Sequence, residues 1–486
     1  MKIAFLEPPP EKGRNPVDRV YGCNYRTYPK PNIFALSQAT LLKEKGYEVA
    51  ILDFTLDRNG RDEFLRTIKN KSYDIYVFFS VFLSEKLDIS VGKEIRKYDK
   101  DAFIIYNGTA PSWEPENYIF DNRVFVVRGE PELTLLELVN ALETGKDLQP
   151  ILGINYLDKG QIKENPSRGI IDDLDSLPIP DRRLLPEKYF DPRLGGKSTI
   201  ILTSRRCNFR CYYCVGNALS LATKIDYRKY FGKNPPPRIR SVDNVVKEFE
   251  DIAELGYKSV DIADDRFIWG KRRTIEICER ISHLNLNLFI RERADLWDDD
   301  IARALRKAGA NHVALGVESF NQKVLDFCRK DLKVEDIYKS IEILKKHGFK
   351  IELNMLLGST PIESKADLEK SLEKAKKLRP DYLLLNICTP FPGTDFYEMC
   401  KKNGWIVDDV RESDPQWKAI ISYPHLRKEE LESIIIKNWR YYFTPRYIFR
   451  QLVNSSPSEL VDKAKTAFQF LKLYFKYFKN VRSFKK

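Results

Sequence analysis

The strongest constraint on the fold is an alternation of short apolar runs with stretches of helical periodicity along most of the chain. Within residues 1–145 the strand-like runs are KIAFLE, EVAILDF, DIYVFFS, AFIIYNG and RVFVVRG. Because this alternation is typical of parallel sheets covered by helices, we predict an α/β domain with a Rossmann-like, doubly wound sheet. Such a sheet binds ligands beyond the carboxyl ends of its strands. Neither GxGxxG nor GxxxxGK[ST] occurs there, so a dinucleotide or nucleoside triphosphate is not predicted.

A second α/β region follows a segment punctuated by prolines. Residues 146–195 lose the periodicity, which predicts a linker. Six further strand-like runs alternate with helical stretches in residues 196–400, and they are STIILTS, KSVDIAD, LNLFI, HVALGV, FKIELNML and DYLLLNIC. Six units fall short of the eight that close a standard barrel, so we predict a partial (β/α)6 barrel of the TIM type with its chemistry at the carboxyl ends of the strands. Residues 401–486 are predicted to form a helical carboxyl-terminal region.

The 486 residues carry 82 Lys and Arg against 70 Asp and Glu, a net charge of +12. This excess suits an anionic cofactor, nucleic acid or an anionic membrane, and charge alone does not choose among them. The amino terminus lacks the apolar run of a signal peptide, and no apolar stretch reaches the about 18 residues of a transmembrane helix. Eight cysteines in so long a chain do not form a dense disulfide framework. We therefore expect a cytoplasmic protein that does not span a membrane.

Three cysteines, Cys207, Cys211 and Cys214, form a CxxxCxxC pattern just past the first strand of the second region. A structural zinc site ordinarily uses four ligands, and the next Cys and His along the chain are Cys278 and His283. An iron–sulfur cluster held by three cysteines leaves one iron open for an exogenous ligand. The spacing therefore favours a catalytic iron–sulfur cluster over a zinc site completed from a distance or a chance group of free thiols.

This cysteine motif resembles that of the radical SAM superfamily. The resemblance implies a [4Fe–4S] cluster held by Cys207, Cys211 and Cys214, with S-adenosylmethionine (SAM) bound at the open iron. It also implies an external one-electron reductant and cleavage of SAM to methionine and a 5′-deoxyadenosyl radical that abstracts a hydrogen atom from the substrate. Tyr213 matches the aromatic residue commonly found beside the adenine in this family.

Polar residues after later strands resemble other motifs of the family. Asp264 and Asp265 follow the second strand of the predicted barrel and resemble the acidic motif that receives the methionyl amino group. Arg293 follows the third strand, and Glu318 and Ser319 follow the fourth; they resemble residues that line the ribose and methionine pocket. Because each of these positions falls at the carboxyl end of a strand, SAM contacts are favoured over solvated loops.

The amino-terminal domain resembles the cobalamin-binding domain of one radical SAM subfamily. The resemblance rests on Asn107, Gly108 and Thr109 after the fourth strand, and on Gly129 and Glu130 after the fifth. The domain contains no histidine and so provides no histidine ligand to cobalt, but relatives of this class commonly bind cobalamin without one. The alternative is a Rossmann-like domain retained for substrate binding or packing.

The carboxyl-terminal region has two features of its own. Residues 438–450 resemble a segment of cobalamin-type radical SAM proteins, several of which act on hopanoids and other isoprenoid lipids. Residues 461–486 combine eight basic residues and one acidic residue with an apolar stripe at helical spacing. Such a helix either lies at a membrane interface, here the inner face of the membrane, or packs on the barrel with its lysines solvated.

These features indicate a radical SAM enzyme that functionalises an unactivated carbon of a hydrophobic small molecule or lipid. We expect radical bond formation or cyclisation, with cobalamin-dependent C-methylation as the alternative. A zinc-stapled nucleic-acid-binding protein is a minor alternative. No nucleic-acid partner is expected, because the basic residues are spread along the chain and no nucleic-acid-binding module is recognised.

Overall fold

The computed structural model describes residues 1–11, 16–22, 30–55, 59–187, 189–191, 194–453 and 460. The chain divides into two compact units. The first comprises Met1–Phe190, Lys197–Asn208 and Val215–Leu284, and the second comprises Asp191–Gly196, Phe209–Cys214 and Asn285–Lys486. The predicted domain ranges 1–145, 146–195, 196–400 and 401–486 stay predictions.

A seven-stranded sheet lies in the first unit. Its strands are β1 (Lys2–Glu7), β2 (Glu48–Asp53), β3 (Ile75–Ser80), β4 (Phe103–Gly108), β5 (Val124–Val127), β6 (Ile154–Asp158) and β7 (Gln161–Glu164). Their order across the sheet is β2-β1-β3-β4-β5-β6-β7, and β1 to β5 pair in parallel. The order β2-β1-β3-β4-β5 is that of a doubly wound sheet whose topological switch lies between β1 and β3. The predicted Rossmann-like sheet is therefore confirmed.

The helices of the first unit follow the predicted alternation. They are α1 (Ile33–Glu44), α2 (Gly60–Lys69), α3 (Glu85–Tyr98), α4 (Thr109–Trp113), α5 (Pro131–Thr144), α6 (Ala218–Phe231), α7 (Val242–Glu254) and α8 (Lys271–Ile281). Local signals fix the ends of α1 and α5. The Asn32 side chain accepts hydrogen bonds from two amides of the first turn of α1. Helix α5 starts at Pro131 and stops at Gly145, whose φ of +66° is the left-handed conformation of a helix end.

The segment predicted as a linker contains a β-hairpin. Strand β6 pairs antiparallel with β5, and β7 pairs antiparallel with β6, so the hairpin extends the first sheet. Every side chain of β7 is exposed, so the segment lacks the apolar alternation from which a strand is recognised. The position of the hairpin depends on Arg128, whose buried guanidinium donates to the carbonyl of Ile154 and to the side chain of Asn155.

All six strands predicted for the second region are present. In the first unit, β8 (Ser198–Ile201) pairs in parallel with β11 (Ser259–Ile262), and β9 (Ser204–Arg205) pairs antiparallel with β10 (Arg238–Ile239). In the second unit, β12 (Asn287–Arg293), β13 (Ala310–Glu318), β14 (Lys350–Leu357) and β15 (Tyr382–Ile387) pair in parallel in that order. Because parallel strands share a direction, the carboxyl ends of β12 to β15 lie at one edge.

The helices of the second unit connect these strands and continue beyond them. They are α9 (Asp299–Lys307), α10 (Gln322–Phe327), α11 (Val334–Lys346), α12 (Lys365–Lys377), α13 (Asp395–Lys402), α14 (Lys428–Trp439) and α15 (Pro445–Val453). The carboxyl-terminal region is helical in α14 and α15, whereas residues 403–427 form turns, isolated bridges and a short 3₁₀ helix (Val410–Glu412). The basic helix predicted for 461–486 lies outside the described residues. Within the described ranges, no helix is long and apolar enough to span a bilayer.

Candidate active site

The three predicted cluster ligands lie in the loop that follows β9. Cys214 donates its amide hydrogen to the carbonyl of Cys211 at 3.2 Å, which closes a turn between these two residues. Cys207, Cys211 and Cys214 are free of disulfide bonds, and Cys214 is exposed. Among the described residues, no three Cys, His, Asp or Glu side chains are already gathered as a metal site. The argument for an iron–sulfur cluster therefore rests on the type and spacing of the residues, because three free thiols lie within eight residues of one another.

Arg293, the last residue of β12, places a positive charge beside one of these thiols. Its Nη1 lies 4.0 Å from Cys211 Sγ, and its guanidinium carbon lies 3.5 Å from the centre of the Phe209 ring. Asp295 accepts hydrogen bonds from Nε and Nη2 at 2.9 and 2.8 Å, and the carbonyl of Asp331 accepts one at 3.0 Å. Because the guanidinium is planar and always charged, these partners fix a permanent cation at the sulfur. The predicted contact of Arg293 with SAM stays a prediction.

The two tyrosines of the loop have different environments. The Tyr212 hydroxyl donates to the carbonyl of Ser359, and its amide donates to the carbonyl of Cys328 at 3.2 Å. Tyr212 therefore anchors the loop in the second unit. The hydroxyl of Tyr213 is buried without a hydrogen-bond partner among the described residues, and this burial raises its pKa well above the ordinary value. A buried donor without a partner suits a residue that meets a ligand, but the predicted place of Tyr213 beside an adenine is untested.

Glu318 lies at the carboxyl end of β13 in a strained conformation. Its φ is +67°, and the pairing of β13 with β14 shifts its register at this point. Its Oε1 accepts a hydrogen bond from Lys330 Nζ at 2.8 Å. Burial by itself lowers the pKa of Lys330, but the negative charges of Glu318 and Cys211 outweigh it, so the pKa is raised. Strain of this kind persists where the surroundings enforce it and is frequent at functional sites. The sequence pattern around Glu318 did not predict its pairing with Lys330, which lies twelve residues further along the chain.

Ser319 lies in the packing beside α12. Its hydroxyl lies 3.4 Å from Glu363 Oε1 and 3.3 Å from Ser371 Oγ. Glu363 is buried as well, and its Oε2 lacks a hydrogen-bond partner within the described ranges. Burial, reinforced by the charge of Asp367, raises the pKa of Glu363 to about 8. The contact of Ser319 with SAM stays a prediction, and the structure gives this side chain a packing role.

The carboxylate of Asp264, in the first unit, is hydrogen-bonded by the loop that follows β8. Its carboxylate accepts hydrogen bonds from the amide of Thr203 at 2.6 Å, from the Thr203 hydroxyl, and from Ser204 Oγ at 3.0 Å. Burial raises the pKa of Asp264 to about 7, although these hydrogen bonds oppose the shift. The carboxylate therefore orders the segment just before the cysteine loop, which is a more direct role than the predicted contact with the methionyl amino group. That contact is untested.

Asp265 orders the start of helix α6. It accepts hydrogen bonds from the amide of Asn217 at 2.7 Å and from the Ser220 hydroxyl, both in the first turn region of that helix. A Cβ at Gly216, which has a φ of +65°, would lie 2.5 Å from Asp265 Oδ1. Glycine is therefore required at 216 by the close approach of the carboxylate. The two adjacent acids, predicted as one motif, bind two different segments of the first unit.

The residues proposed for cobalamin divide into two groups. At the carboxyl end of β4, the side chains of Asn107 and Thr109 are buried, and Asn107 Oδ1 and Thr109 Oγ1 have no hydrogen-bond partner among the described residues. The other amide atom of Asn107 donates to Gln38 Oε1 at 2.9 Å, so the orientation of the side chain is fixed. Gly108 has a φ of +108°, and a Cβ there would lie 2.3 Å from the carbonyl oxygen of Ser80. Two buried acceptors without partners suit a ligand at this strand end.

Glu130 and Gly129, at the end of β5, are instead engaged within the first unit. Glu130 accepts hydrogen bonds from Arg238 at 2.6 and 2.9 Å and lies 3.2 Å from Arg205. Although burial opposes it, these two cations lower the pKa of Glu130. A Cβ at Gly129 would lie 3.2 Å from Asp226 Oδ2. These neighbours account for both residues through packing and ion pairing, and their contact with cobalamin stays a prediction.

Comparison with known proteins adds information that geometry does not give. Residues 201–375 match the model of the radical SAM superfamily. An uncharacterised methyltransferase of Pyrococcus horikoshii is 28% identical over 460 residues, which are 93% of this chain and 95% of that protein. An anaerobic magnesium-protoporphyrin IX monomethyl ester cyclase of Rubrivivax gelatinosus is 28% identical over 282 residues, 56% of this chain and 48% of that protein. Hopanoid C-3 methylase of Methylococcus capsulatus is 22% identical over 74% of this chain and 66% of its own length.

Two solved structures share the fold. The cobalamin-dependent SAM radical enzyme OxsB superposes with a TM-score of 0.69 at 17% identity, covering 97% of this chain and 71% of its own. The radical SAM methyltransferase TsrM of Kitasatospora setae superposes with a TM-score of 0.65 at 18% identity, covering 83% and 77%. Together with the two sets of parallel strands, this similarity confirms a Rossmann-like domain followed by a partial TIM-type barrel. The chain carries a radical SAM domain, and the superfamily to which that domain belongs works with a [4Fe–4S] cluster and S-adenosylmethionine.

Proposed function

We propose that this chain is a cobalamin-dependent radical SAM C-methyltransferase. One observation carries the proposal: the methyltransferase relative from Pyrococcus horikoshii matches 93% of the chain, so the likeness includes the amino-terminal sheet as well as the radical SAM domain. The fold shared with a radical SAM methyltransferase and with a cobalamin-dependent radical SAM enzyme supports the same chemistry. This places methylation ahead of the bond formation or cyclisation that was expected first from the sequence.

In this proposal Cys207, Cys211 and Cys214 hold the cluster. When bound, the cluster supplies the electron that cleaves SAM to methionine and a 5′-deoxyadenosyl radical, and an external reductant restores that electron. The chain itself contributes fixed charges. Arg293 keeps a cation beside Cys211 Sγ, and Lys330 holds the carboxylate of Glu318 at the end of β13.

Asn107 and Thr109 are the proposed cobalamin contacts in the first unit. Both lie at the carboxyl end of β4, the edge at which doubly wound sheets bind ligands, and both carry a buried oxygen without a partner in the described part of the chain. When bound, cobalamin carries the methyl group that is transferred to the substrate carbon. Glu130 is a weaker candidate, because Arg205 and Arg238 already occupy its carboxylate.

We propose a hydrophobic substrate with an unactivated carbon, within the lipid class. The support is the match to hopanoid C-3 methylase over 74% of this chain. Abstraction of hydrogen by a 5′-deoxyadenosyl radical is also the chemistry that an unactivated carbon requires, because such a carbon lacks the acidity or nucleophilicity that polar methyl transfer uses.

The test is product analysis under anaerobic conditions. The full chain is reconstituted with iron and sulfide, supplied with hydroxocobalamin, reductant and SAM labelled in its methyl group, and incubated with a crude lipid extract. We expect both S-adenosylhomocysteine and 5′-deoxyadenosine, with label in an extracted lipid. The Cys214→Ala variant should lose 5′-deoxyadenosine, whereas Cys400→Ala, which removes a buried thiol outside the motif, should keep it. Formation of 5′-deoxyadenosine without S-adenosylhomocysteine, and with no label in the lipid, would contradict methylation.

Radical cyclisation is the second candidate. It is favoured by a specific observation: a magnesium-protoporphyrin IX monomethyl ester cyclase of Synechocystis is 24% identical over 93% of this chain and 89% of its own length. The two candidates differ in the fate of SAM. A cyclase cleaves SAM to methionine and 5′-deoxyadenosine and forms no S-adenosylhomocysteine, whereas a methyltransferase forms S-adenosylhomocysteine in addition. Formation of 5′-deoxyadenosine with a product that has lost hydrogen and gained no methyl group would establish the second candidate.

A further inference from the structure

Helix α15 (Pro445–Val453) presents a contiguous apolar face to solvent. We call this the outer face of α15 and define it as Ile448, Phe449, Leu452 and Val453, whose exposed fractions are 45, 68, 53 and 65%. Residues four apart stack along a helix, so these four side chains form two adjacent rows. Phe449, Val453 and Leu452 are the three most exposed large hydrophobic side chains in the described part of the chain. Single exposed apolar residues are ordinary, but a contiguous group marks an interaction surface.

The opposite face of α15 is firmly attached to the second unit. Tyr447 donates its hydroxyl hydrogen to the carbonyl of Asp381 at 2.9 Å, and Arg450 Nη1 donates to the carbonyl of Arg379 at 2.8 Å. Gln451 donates to the Asp381 carbonyl at 3.2 Å. These bonds fix the rotation of the helix about its axis. The outer face is therefore held outward by the fold and is not the chance exposure of a detached helix.

The stretch of chain that contains α15 carries charges of one sign. Residues 433–458 contain Lys437, Arg440, Arg446 and Arg450 and no Asp or Glu. Lys437, Arg440 and Arg446 are exposed. An apolar helix face in a segment whose charged residues are all Arg or Lys is typical of a helix that lies in the interface of an anionic membrane, where the rings enter the acyl boundary and the cations meet the headgroups.

The same charges disfavour the two protein occupants within reach. A second copy of this chain would bring an identical basic surface against this one, because a two-fold interface pairs the same patch on both subunits. The chain's own residues 461–486 carry eight basic residues and one acidic residue, so they would also add positive charge to positive charge. Charge complementarity therefore selects an anionic surface.

We propose that the outer face of α15 docks on an anionic lipid surface. The docking does not depend on methylation or on any cofactor, so it is tested by binding alone. If the substrate is a lipid, docking places the enzyme where its substrate is dissolved. If the substrate is not a lipid, the docking surface remains and sets only where the enzyme resides.

The experiment is vesicle flotation with the full chain. Vesicles of phosphatidylcholine mixed with phosphatidylglycerol are compared with vesicles of phosphatidylcholine alone. We expect the wild-type chain to float with the anionic vesicles and to remain below with the neutral ones, and added salt to weaken the binding. The double variant Phe449→Glu/Leu452→Glu should bind the anionic vesicles at least about tenfold more weakly, because both side chains then carry a charge that the acyl boundary excludes.

The matched control places the same two charges elsewhere. Leu152 and Val407 are exposed apolar residues outside α15, with exposed fractions of 38 and 49%, so Leu152→Glu/Val407→Glu changes net charge equally. It should float as the wild type does. The uncharged variant Phe449→Ser/Leu452→Ser keeps the test valid if the glutamates disturb folding, and it should also bind more weakly.

Two results would overturn the proposal. The first is a wild-type chain that binds neither kind of vesicle, and the second is a Phe449→Glu/Leu452→Glu variant that floats as well as the wild type. The first result can also come with a wild-type chain that self-associates in sedimentation velocity while the Phe449→Glu/Leu452→Glu variant stays monomeric. In that case the outer face is an interface between copies of the chain.

Discussion

At the scale of single residues, Arg293 is the cation that lies beside Cys211, a proposed cluster ligand. Its Nη1 lies 4.0 Å from Cys211 Sγ, and Asp295 and Phe209 fix its orientation. Positive charge and hydrogen bonds at the sulfurs stabilise the reduced, more negative cluster and so raise its reduction potential. We therefore expect Arg293→Gln to shift the one-electron equilibrium about tenfold toward the oxidised cluster, a decrease of about 59 mV. Redox titration of the reconstituted chain, followed by electron paramagnetic resonance, measures this shift.

Arg210 provides the control for charge alone. It lies in the same loop, its side chain is 78% exposed, and its nearest acidic partner is Asp331 at 4.0 Å. Arg210→Gln removes one positive charge without removing a donor to Cys211, so its potential should stay near that of the wild type because solvent screens the lost charge. An equal decrease in both variants would mean that net charge sets the potential and that the contact with the sulfur does not.

Glu363 makes stability depend on pH. Its pKa is raised by burial from 4.5 to about 8, so the folded chain binds the proton more tightly than the unfolded chain does. The stability from this group is therefore present at low pH and is lost as pH rises through that window. The Glu363→Gln variant should not lose this stability as pH rises, because glutamine does not ionise. At about pH 8 the free energy of unfolding of the variant should therefore exceed that of the wild type by on the order of 3 kcal/mol.

Denaturant unfolding at several pH values checks this prediction. Glutamine keeps the oxygen that faces the Ser319 hydroxyl, so the packing beside α12 is retained. Glu373→Gln, at an exposed position of α12, is the control and should follow the wild type at every pH. If Glu363→Gln lost stability with rising pH as steeply as the wild type, the carboxyl group would be ionised in the folded chain at neutral pH.

At the scale of elements, the strands were predictable because burial leaves an apolar pattern in the sequence. Strand β3 is buried at every position and is an uninterrupted apolar run up to its last residue, whereas β14 and β15 alternate buried with half-buried positions. The hairpin β6–β7 was missed because its position depends on long-range polar contacts rather than on apolar pattern. The same holds for the site: the cysteine spacing is a local signal, whereas the pairing of Glu318 with Lys330 and of Glu130 with Arg205 is visible only in the folded chain.

The hairpin provides a prediction at this scale through Arg128. This side chain is fully buried, and its Nε lies 2.9 Å from Asp226 Oδ1 on helix α6. Replacing Arg128 with Met leaves the Asp226 carboxylate buried without its cation, which should lower the free energy of unfolding by about 3–5 kcal/mol. The double variant Arg128→Met/Asp226→Asn removes the orphaned charge as well and should recover part of the loss.

Equilibrium unfolding of the wild type, the single variant and the double variant measures the coupling of this pair. Hydrogen exchange of residues 154–164 gives an independent readout, because the carbonyl of Ile154 accepts one of the hydrogen bonds from Arg128. If the single variant unfolded like the wild type and its hairpin amides stayed protected, Arg128 would not hold the hairpin to the sheet.

At the scale of the whole molecule, the proposed reaction divides between the two parts of the chain. In the proposal, the cysteine loop and the barrel strands would serve SAM cleavage, and the amino-terminal sheet would bind the cobalamin that carries the methyl group. A relative that matches 93% of the chain makes it reasonable to treat both parts as one enzyme, whereas the radical SAM match alone covers residues 201–375. If this division is correct, the two products of SAM must respond differently to substitutions in the two parts.

Removing the unpartnered oxygens at the end of β4 tests that division. Asn107→Ala/Thr109→Val deletes Asn107 Oδ1 and Thr109 Oγ1, which have no partner in the described structure. It also removes the amide that donates to Gln38 Oε1, so the free energy of unfolding should fall by about 1–3 kcal/mol. We expect the dissociation constant for cobalamin, measured by equilibrium dialysis, to rise at least about tenfold. The reason is that the bound cobalamin would lose its hydrogen bonds to Asn107 Oδ1 and Thr109 Oγ1. Formation of S-adenosylhomocysteine should decrease with cobalamin occupancy, and cleavage of SAM to 5′-deoxyadenosine should remain.

Tyr76→Phe is the matched control for this experiment. Its hydroxyl is also buried and lacks a partner among the described residues, but Tyr76 lies near the amino end of β3, away from the ligand-binding edge of a parallel sheet. Cobalamin affinity should therefore be unchanged in this variant. Equal weakening by Tyr76→Phe would point to a general disturbance of the sheet. Unchanged affinity in Asn107→Ala/Thr109→Val would remove these two residues from the cofactor site, whatever the products of the reaction prove to be, because binding is measured apart from turnover.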